Sequence, residues 1–193
     1  APLQLGDYTS WEQQLVAEAG HRPALQAYRE RQRFTPLDLP TLLDEPPGSE
    51  AGGEILHFEL SSELSDRVRT LAAEQRVTLN TVLCAAFGLL LAHYSGQTDF
   101  ALGVIVANRS RREQREIVGV LANTLVLQCN LSDCQDVAAL LRRMQEQTEL
   151  ALANSWLPMS ELLQGSAATP GQSQLLRAVF SYQAMFQRTT WQQ

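Results

Sequence analysis

The sequence predicts a layered α/β fold, ordered as α+β, in which helices cover a mixed β-sheet. Three observations carry that prediction. A continuous apolar run at 100–107, built of small and β-branched residues, has the pattern of a strand covered on both faces. At 123–131 apolar and polar residues alternate, the pattern of a half-exposed strand. Stretches with helical period stand directly beside both, and helices so close to strands imply helix packed on sheet.

Taken in order, residues 5–19 form a helix with Tyr8, Trp11, Leu15 and Val16 on one side, and 24–33 a second, Arg-rich helix. Pro36, Pro40, Pro46 and Pro47 then interrupt regular structure as far as Gly52-Gly53, so 35–53 reads as an extended linker. The chain divides accordingly into 1–53, N-terminal helices with a Pro-rich linker, and 54–193. A short strand at 55–60 precedes a helix capped by Ser61 or Ser62 and carrying Leu64, Val68, Leu71 and Ala72 at helical spacing. Thr78 caps the helix at 79–94, which ends at Ser95-Gly96. It carries Val82, Leu83, Ala86, Phe87, Leu90 and Leu91 with more apolar groups around its circumference, the pattern of a buried helix.

After the strand at 100–107, the alternating strand places Leu125, Leu127, Cys129 and Leu131 on one face and Thr124, Gln128 and Asn130 on the other. Ser132 and Gln135 then make a capping box for a helix to about 153, with a stripe of Val137, Leu140, Leu141, Met144 and Leu150. Pro158 opens a brief helix to 163, a loop covers 165–171, and 175–185 offers a last strand.

Composition excludes several functions. With 15 basic and 21 acidic residues the net charge is −6, which argues against a nucleic-acid partner, whose affinity comes from neutralised phosphates. Every basic residue is Arg, so no Schiff base, lysine base or Walker lysine is available. The run Arg109, Arg111, Arg112, Arg115 reads as a solvated loop and helix start in preference to the other reading, a spot that meets one anion. Cys84, Cys129 and Cys134 are unevenly placed and lack a nearby His, which supports neither a disulfide framework nor a zinc site. They read as free, mostly buried thiols of a reducing compartment. Residues 1–11 lack a basic start before an apolar stretch, and no apolar run is long enough for a bilayer, so the expectation is a cytoplasmic protein with no membrane partner. The sequons at Asn108 and Asn130 are then accidents of composition.

His21, His57 and His93 stand alone and read as structural residues. No G-x-S-x-G elbow, phosphate loop or H-E-x-x-H motif occurs; Gly171-Gln172-Ser173 lacks the second glycine of an elbow. No self-contained catalytic centre is encoded. Polar residues do interrupt the strands at two places, Asn108-Arg109 after the apolar run and Asn123-Thr124 after Val118-Gly119. These residues either satisfy stray backbone groups or line a channel at the sheet edge.

The stretch "VTLNTVLCAAFGLLLAHYSGQTDFALGVIVANRSR", followed by "IVGVLANTLVLQCNL", resembles the C-terminal lobe of nonribosomal peptide synthetase condensation domains, members of the chloramphenicol acetyltransferase-like superfamily. The family's pattern there is a helix ending in Y-S-G-Q, an apolar strand ending in V-A-N-R, and a segment like I-G-x-F-V-N-T-L-x-L-R. Asp7, Tyr8 and Trp11 match its Y-x-D-Y-x-x-W motif, and the similarity runs from about Leu5 to Gln183. Val118, Gly119, Asn123, Thr124 and Leu125 match, whereas Leu121, Ala122 and Gln128 replace the usual Phe, Val and Arg. Leu157 and Pro158 remain of an H-Q-D-x-P-F-E segment; Phe180 and Ser181 remain near the end without the family's R-N-P.

The resemblance implies a half-domain of the chloramphenicol acetyltransferase-like fold. Its parent domain is implied to join an acyl or peptidyl thioester on one carrier to an aminoacyl amine on another, both held on phosphopantetheine arms. The family's H-H-x-x-x-D-G motif would lie before Ala1, and further strands follow where this chain ends, so the segment alone is expected to be inactive and to bind no cofactor directly. Its implied partners are the N-terminal lobe and the peptidyl and aminoacyl carrier proteins. Asn123 would face the substrate channel, with Asn108, Arg109 and Ser181 beside it; Asp7, Tyr8 and Trp11 would hold the lobes together. Other readings are an epimerization domain, a carrier-dependent O-acyltransferase, or a non-catalytic recruiting domain of the same ancestry. An unpaired apolar edge at 175–185 would also favour self-association.

Overall fold

The structure is a computed structural model, and it describes residues 3–18, 23, 34–40, 53–159 and 175–183. Its centre is strand β1 (Asp99–Val106), where Phe100, Ala101 and Leu102 are fully buried. β1 pairs antiparallel with β2 (Asn123–Asn130), setting Phe100 opposite Cys129, Leu102 opposite Leu127 and Val104 opposite Leu125. On its other side it pairs in parallel with the two-residue β3 (Val179–Phe180), giving the order β2-β1-β3. Gly103 permits this approach, because a Cβ there would stand 3.1 Å from Val179 Cγ2 and 3.3 Å from Leu176 Cδ1.

One face of the sheet is covered by helices α2 (Ser62–Gln75), α3 (Leu79–Ser95) and α5 (Val137–Ala153). Leu102, Val104, Leu125, Leu127 and Cys129 meet Cys84, Ala85, Leu140, Leu141 and Met144 in the main core. At roughly 1.5–3 kcal/mol for each fully buried large apolar side chain, this layer is the main source of cohesion. The opposite face carries a smaller cluster of Ala101, Val126, Leu157 and Leu175, flanked by Phe34, Leu150 and Trp156. The mixed sheet and helical layers match the class expected from the sequence.

Caps define the helix ends. The Ser61 hydroxyl accepts from Leu64 N–H at 3.2 Å, and the Thr78 hydroxyl from Thr81 N–H at 3.1 Å, as their positions predicted. Gly96, at φ +70, closes α3 in the left-handed conformation that glycine adopts without a Cβ penalty. Helix α1 (Leu5–Ala17) ends two residues before the predicted limit, and α4 is the single turn Arg112–Arg115.

Several expectations are corrected. Residues 55–60 form no strand: Ile55, Leu56 and Phe58 are exposed, and no sheet partner lies beside them among the described residues. His57 therefore sits in an exposed irregular segment. Residues 35–40 have no helix or strand, as an extended linker requires, but they are anchored: Leu37 is 1% exposed in the main core, and Thr35 C=O accepts from Ala101 N–H at 2.6 Å. The cap of α5 is Asp136, whose carboxylate accepts from Ala139 N–H at 2.7 Å, whereas the Ser132 hydroxyl pairs with that of Thr98. Helix α3 is buried only on one side; Ala86, Leu89, Leu90, His93 and Tyr94 face outward. The second face of β2 is better covered than alternation implied, because Val126 joins the smaller cluster. The last strand is short, and its final residues, the predicted helix at 24–33, most of the brief helix after Pro158, the loop at 165–171 and His21 lie outside the described residues.

Candidate functional site

The site is built where β1 ends and β2 begins. Asn108 follows β1 with φ +51, a left-handed conformation that Asn tolerates better than most residues. That turn aims its side chain at α1: Asn108 Nδ2 donates to the Tyr8 hydroxyl at 3.0 Å, and the Tyr8 hydroxyl donates to Glu12 Oε1 at 3.1 Å. Burial pushes the Tyr8 phenol up to about 12; the Glu12 charge and hydrogen bond add to the rise, and the Asn108 amide opposes it. Tyr8 is therefore a neutral donor at physiological pH. Asp7 acts locally, its carboxylate accepting from Gln4 N–H at 2.9 Å in the first turn, where the helix dipole favours negative charge.

Trp11 stands one turn beyond, its ring 5.7 Å from that of Tyr8 and tilted by 46°. The Arg111 guanidinium lies 5.1 Å from the centre of the Trp11 ring, a cation–π contact. The Arg run is thus not wholly solvated, a further correction to the sequence reading. Arg109 folds back on its own loop, donating to the carbonyls of Gln114, Ile117 (2.9 Å) and Gly119 (2.7 Å). Gln114, 7% exposed, adds a bond from Arg111 N–H to its side-chain oxygen at 2.9 Å. The loop ends at Gly119, whose φ of +147 favours glycine and where a Cβ would stand 2.8 Å from Leu5 Cδ2. Val118 and Val120 on either side project outward, 91% and 84% exposed.

Asn123, the first residue of β2, spends its amide on the turn after α5: Nδ2 donates to the carbonyls of Ser155 at 3.0 Å and Leu157 at 2.8 Å. A cleft of about 180 Å³ lies between these parts, lined by Tyr8, Trp11, Asn108, Ser110, Arg111, Gln114, Leu152, Ala153, Ser155 and Trp156. A second of about 250 Å³ lies between α1 and the 111–117 segment, lined by Leu3, Asp7, Tyr8, Trp11, Arg111, Glu113, Gln114 and Ile117. Asn108 lines the first cleft directly, Arg109 shapes the loop on one side of it and Asn123 the turn on the other. Ser181 stands apart, exposed just after β3 and lining none of these clefts.

The linings offer aromatic faces, a phenol, amides, hydroxyls, one guanidinium and, in the second cleft, the carboxylates of Asp7 and Glu113. Such groups can hold and orient a ligand by stacking and hydrogen bonding; among the described residues the linings include no histidine or cysteine. Cys84 of α3 and Cys129 of β2 are buried in the main core, and burial pushes both thiols up to about 12. His93 is on the outer side of α3, edge-on to Tyr94 at 5.7 Å. The sequence reading did not single out Arg111 as a ring partner, nor Leu152, Ser155 and Trp156 as cleft walls. The only signal for the latter was polar Asn154-Ser155 beside Trp156 at the end of an amphipathic stripe.

The family model described as "Condensation domain" matches residues 2–193. Phosphinothricin tripeptide synthetase PhsC of Streptomyces viridochromogenes is 31% identical over 164 residues, 84% of this chain and 15% of that protein. A dimodular nonribosomal peptide synthase of Bacillus subtilis is 30% identical over 198 residues, 98% of this chain and 8% of that protein. The chain thus spans a small part of these relatives' length. Among solved structures, holo-AB3403, a four-domain nonribosomal peptide synthetase bound to AMP and glycine, matches with a TM-score of 0.80 at 20% identity, over 94% of this chain and 14% of that one. SgcC5 of Streptomyces globisporus matches with a TM-score of 0.72 at 21% identity, over 93% of this chain and 41% of that one.

Proposed function

This chain belongs to the condensation-domain family, and from that premise we propose that it forms one wall of a site joining two carrier-bound substrates through an amide bond. The acceptor amine nitrogen attacks the donor thioester carbonyl, the C–N bond forms, the C–S bond breaks, and the thiol of the donor's phosphopantetheine arm leaves with a proton. Such a reaction depends chiefly on aligning two tethered reactants, worth several kcal/mol of barrier, and on polar groups that steer the proton and the oxyanion. The observation that carries this reading is the match over residues 2–193, joined to a strand-end cleft lined by aromatic, amide and hydroxyl groups suited to positioning a ligand.

In this reading Asn123, Asn108 and Arg109 shape the substrate channel, and Ser181 lies further along it. Tyr8 and Trp11 face the N-terminal lobe with Asp7 beneath them. The partners are that lobe and the donor and acceptor carrier proteins. The test uses the parent synthetase with both carriers loaded, and follows the acceptor-bound product by intact-protein mass spectrometry. An amide that forms with an amine acceptor supports the reading. Ester formation with an alcohol acceptor, inversion of the donor stereocentre without transfer, or carrier binding without turnover would each replace it.

A further inference from the structure

Beside the strand-end cleft lies a separate cavity of about 220 Å³, set between the end of the β1–β2 ladder and the start of α3. Its walls include Val104, Val106, Leu125 and Leu127 of the sheet, with Asn80 of α3 and Leu152 of α5. Leu152, 47% exposed, lines both spaces and so borders the cavity and the cleft alike. The volume suits a branched aliphatic side chain or a short acyl tail; an engineered apolar cavity of roughly 150 Å³ already takes benzene. The polar side chains in the wall are Asn80, Thr148 and Tyr182, and of these the Thr148 hydroxyl is committed, donating to Met144 C=O at 2.8 Å. The half-buried Asn80 amide makes no hydrogen bond among the described residues.

Resting on the function proposed above, we infer that this cavity is a selectivity pocket for the aliphatic side chain or acyl tail of a carrier-bound thioester, with Leu152 as its gatepost and Asn80 as a free amide for the polar group at the root of that chain. The physical argument is one of position and fit. A thioester lying in the cleft between Tyr8, Asn108 and Ser155 is one side chain away from a space walled by valine and leucine of the sheet, with Asn80, Thr148 and Tyr182 completing the wall, and filling its apolar part removes apolar surface from water. One methylene in a hydrophobic pocket discriminates about 10- to 200-fold.

The test compares kcat/KM for long over short substrates, a ratio insensitive to how much enzyme is folded. The complete parent synthetase is given leucyl and glycyl acceptors with a fixed donor, then hexanoyl and acetyl donors with a fixed acceptor, and the two arms distinguish which substrate enters. In one arm, Leu152→Trp is expected to lower the long-to-short ratio at least about tenfold, and Leu152→Ala to raise it toward longer chains. Asn80→Leu is expected to raise KM for the long substrate more than it lowers kcat. Ratios that stay the same in both arms for both Leu152 variants would overturn the inference while leaving amide formation standing. Absence of amide from every pair with the unaltered enzyme would overturn the functional reading, and the pocket with it.

Discussion

Replacing Arg109 separates two roles that its place at the end of β1 suggests. In the structure its guanidinium ties the carbonyls of Gln114, Ile117 and Gly119 into one loop. Hydrogen bonds to a charged group contribute about 1.5–3 kcal/mol each, and discounting three of them because the side chain is half-exposed and water replaces part of the loss leaves ~2 kcal/mol for Arg109→Ala. That corresponds to a fall of about 4–8 °C in melting temperature for a unit of this size. Arg109→Lys is expected to recover less than half, because an ammonium is a point donor and does not reproduce the planar fork that spans three acceptors. Hydrogen-exchange mass spectrometry supplies the local readout, with faster exchange across 110–120 and little change in the β1–β2 ladder. If both variants exchange like the parent protein in that loop and melt within about 1 °C of it, the clamp is refuted. Lost turnover with a protected loop would instead assign Arg109 a direct contact with substrate.

Asn123→Ala frees the carbonyls of Ser155 and Leu157; a cost of about 1–2 kcal/mol is expected, with a folded domain and reduced amide formation, and unchanged turnover would remove Asn123 from the site. Gly103→Val places a branched side chain where even a Cβ stands 3.1 Å from Val179; about 1–3 kcal/mol should be lost in urea unfolding, and an unchanged midpoint would show that β3 does not need this close approach. The Cys84 and Cys129 thiols titrate near 12 when folded and ordinarily near 9, so the unfolded chain releases their protons first. Their contribution is complete below pH 9 and is lost as pH rises from 9 to 12; a Cys84→Ala, Cys129→Ala double variant whose stability falls as steeply over that range would refute the assignment. Thiol labelling at pH 8 should modify half-buried Cys134 first.

The elements with strong periodicity were legible because burial and period coincide in them. Phe100 to Val104 is apolar on both sides and is covered on both sides; Thr78, Ser61 and Gly96 occupy ends where their side chains or backbone freedom have one purpose. The short strand expected at 55–60 failed because a brief apolar-rich stretch does not say whether a neighbouring strand is present to pair with it. The cap of α5 went to Asp136 instead of Ser132 because several polar residues precede that helix and spacing alone does not rank them. Asn108, Arg109 and Asn123 were visible as polar interruptions of the strands, and Tyr8 and Trp11 as one side of the first helix. Their pairing was not, since the Asn108–Tyr8 bond joins residues 100 apart and depends on the left-handed turn at Asn108. The outward side of α3 escaped notice for the opposite reason: composition counts apolar residues without saying which of them meet a neighbour.

The sheet order also bears on how the chain acquires its shape. β1 meets its antiparallel partner β2 and helix α5 soon after they are made, whereas its parallel partner β3 arrives only after α5 and the turn that follows it. The tie between Arg177 and Asp38 closes a span of 139 residues. Contacts so distant along the polypeptide are slow to form, because a large loop must close before they return any energy. During synthesis the flank of β1 at Gly103 therefore waits uncovered while its other flank is already paired. A nascent chain held at that stage is the one most exposed to mispairing with a neighbour on the same message.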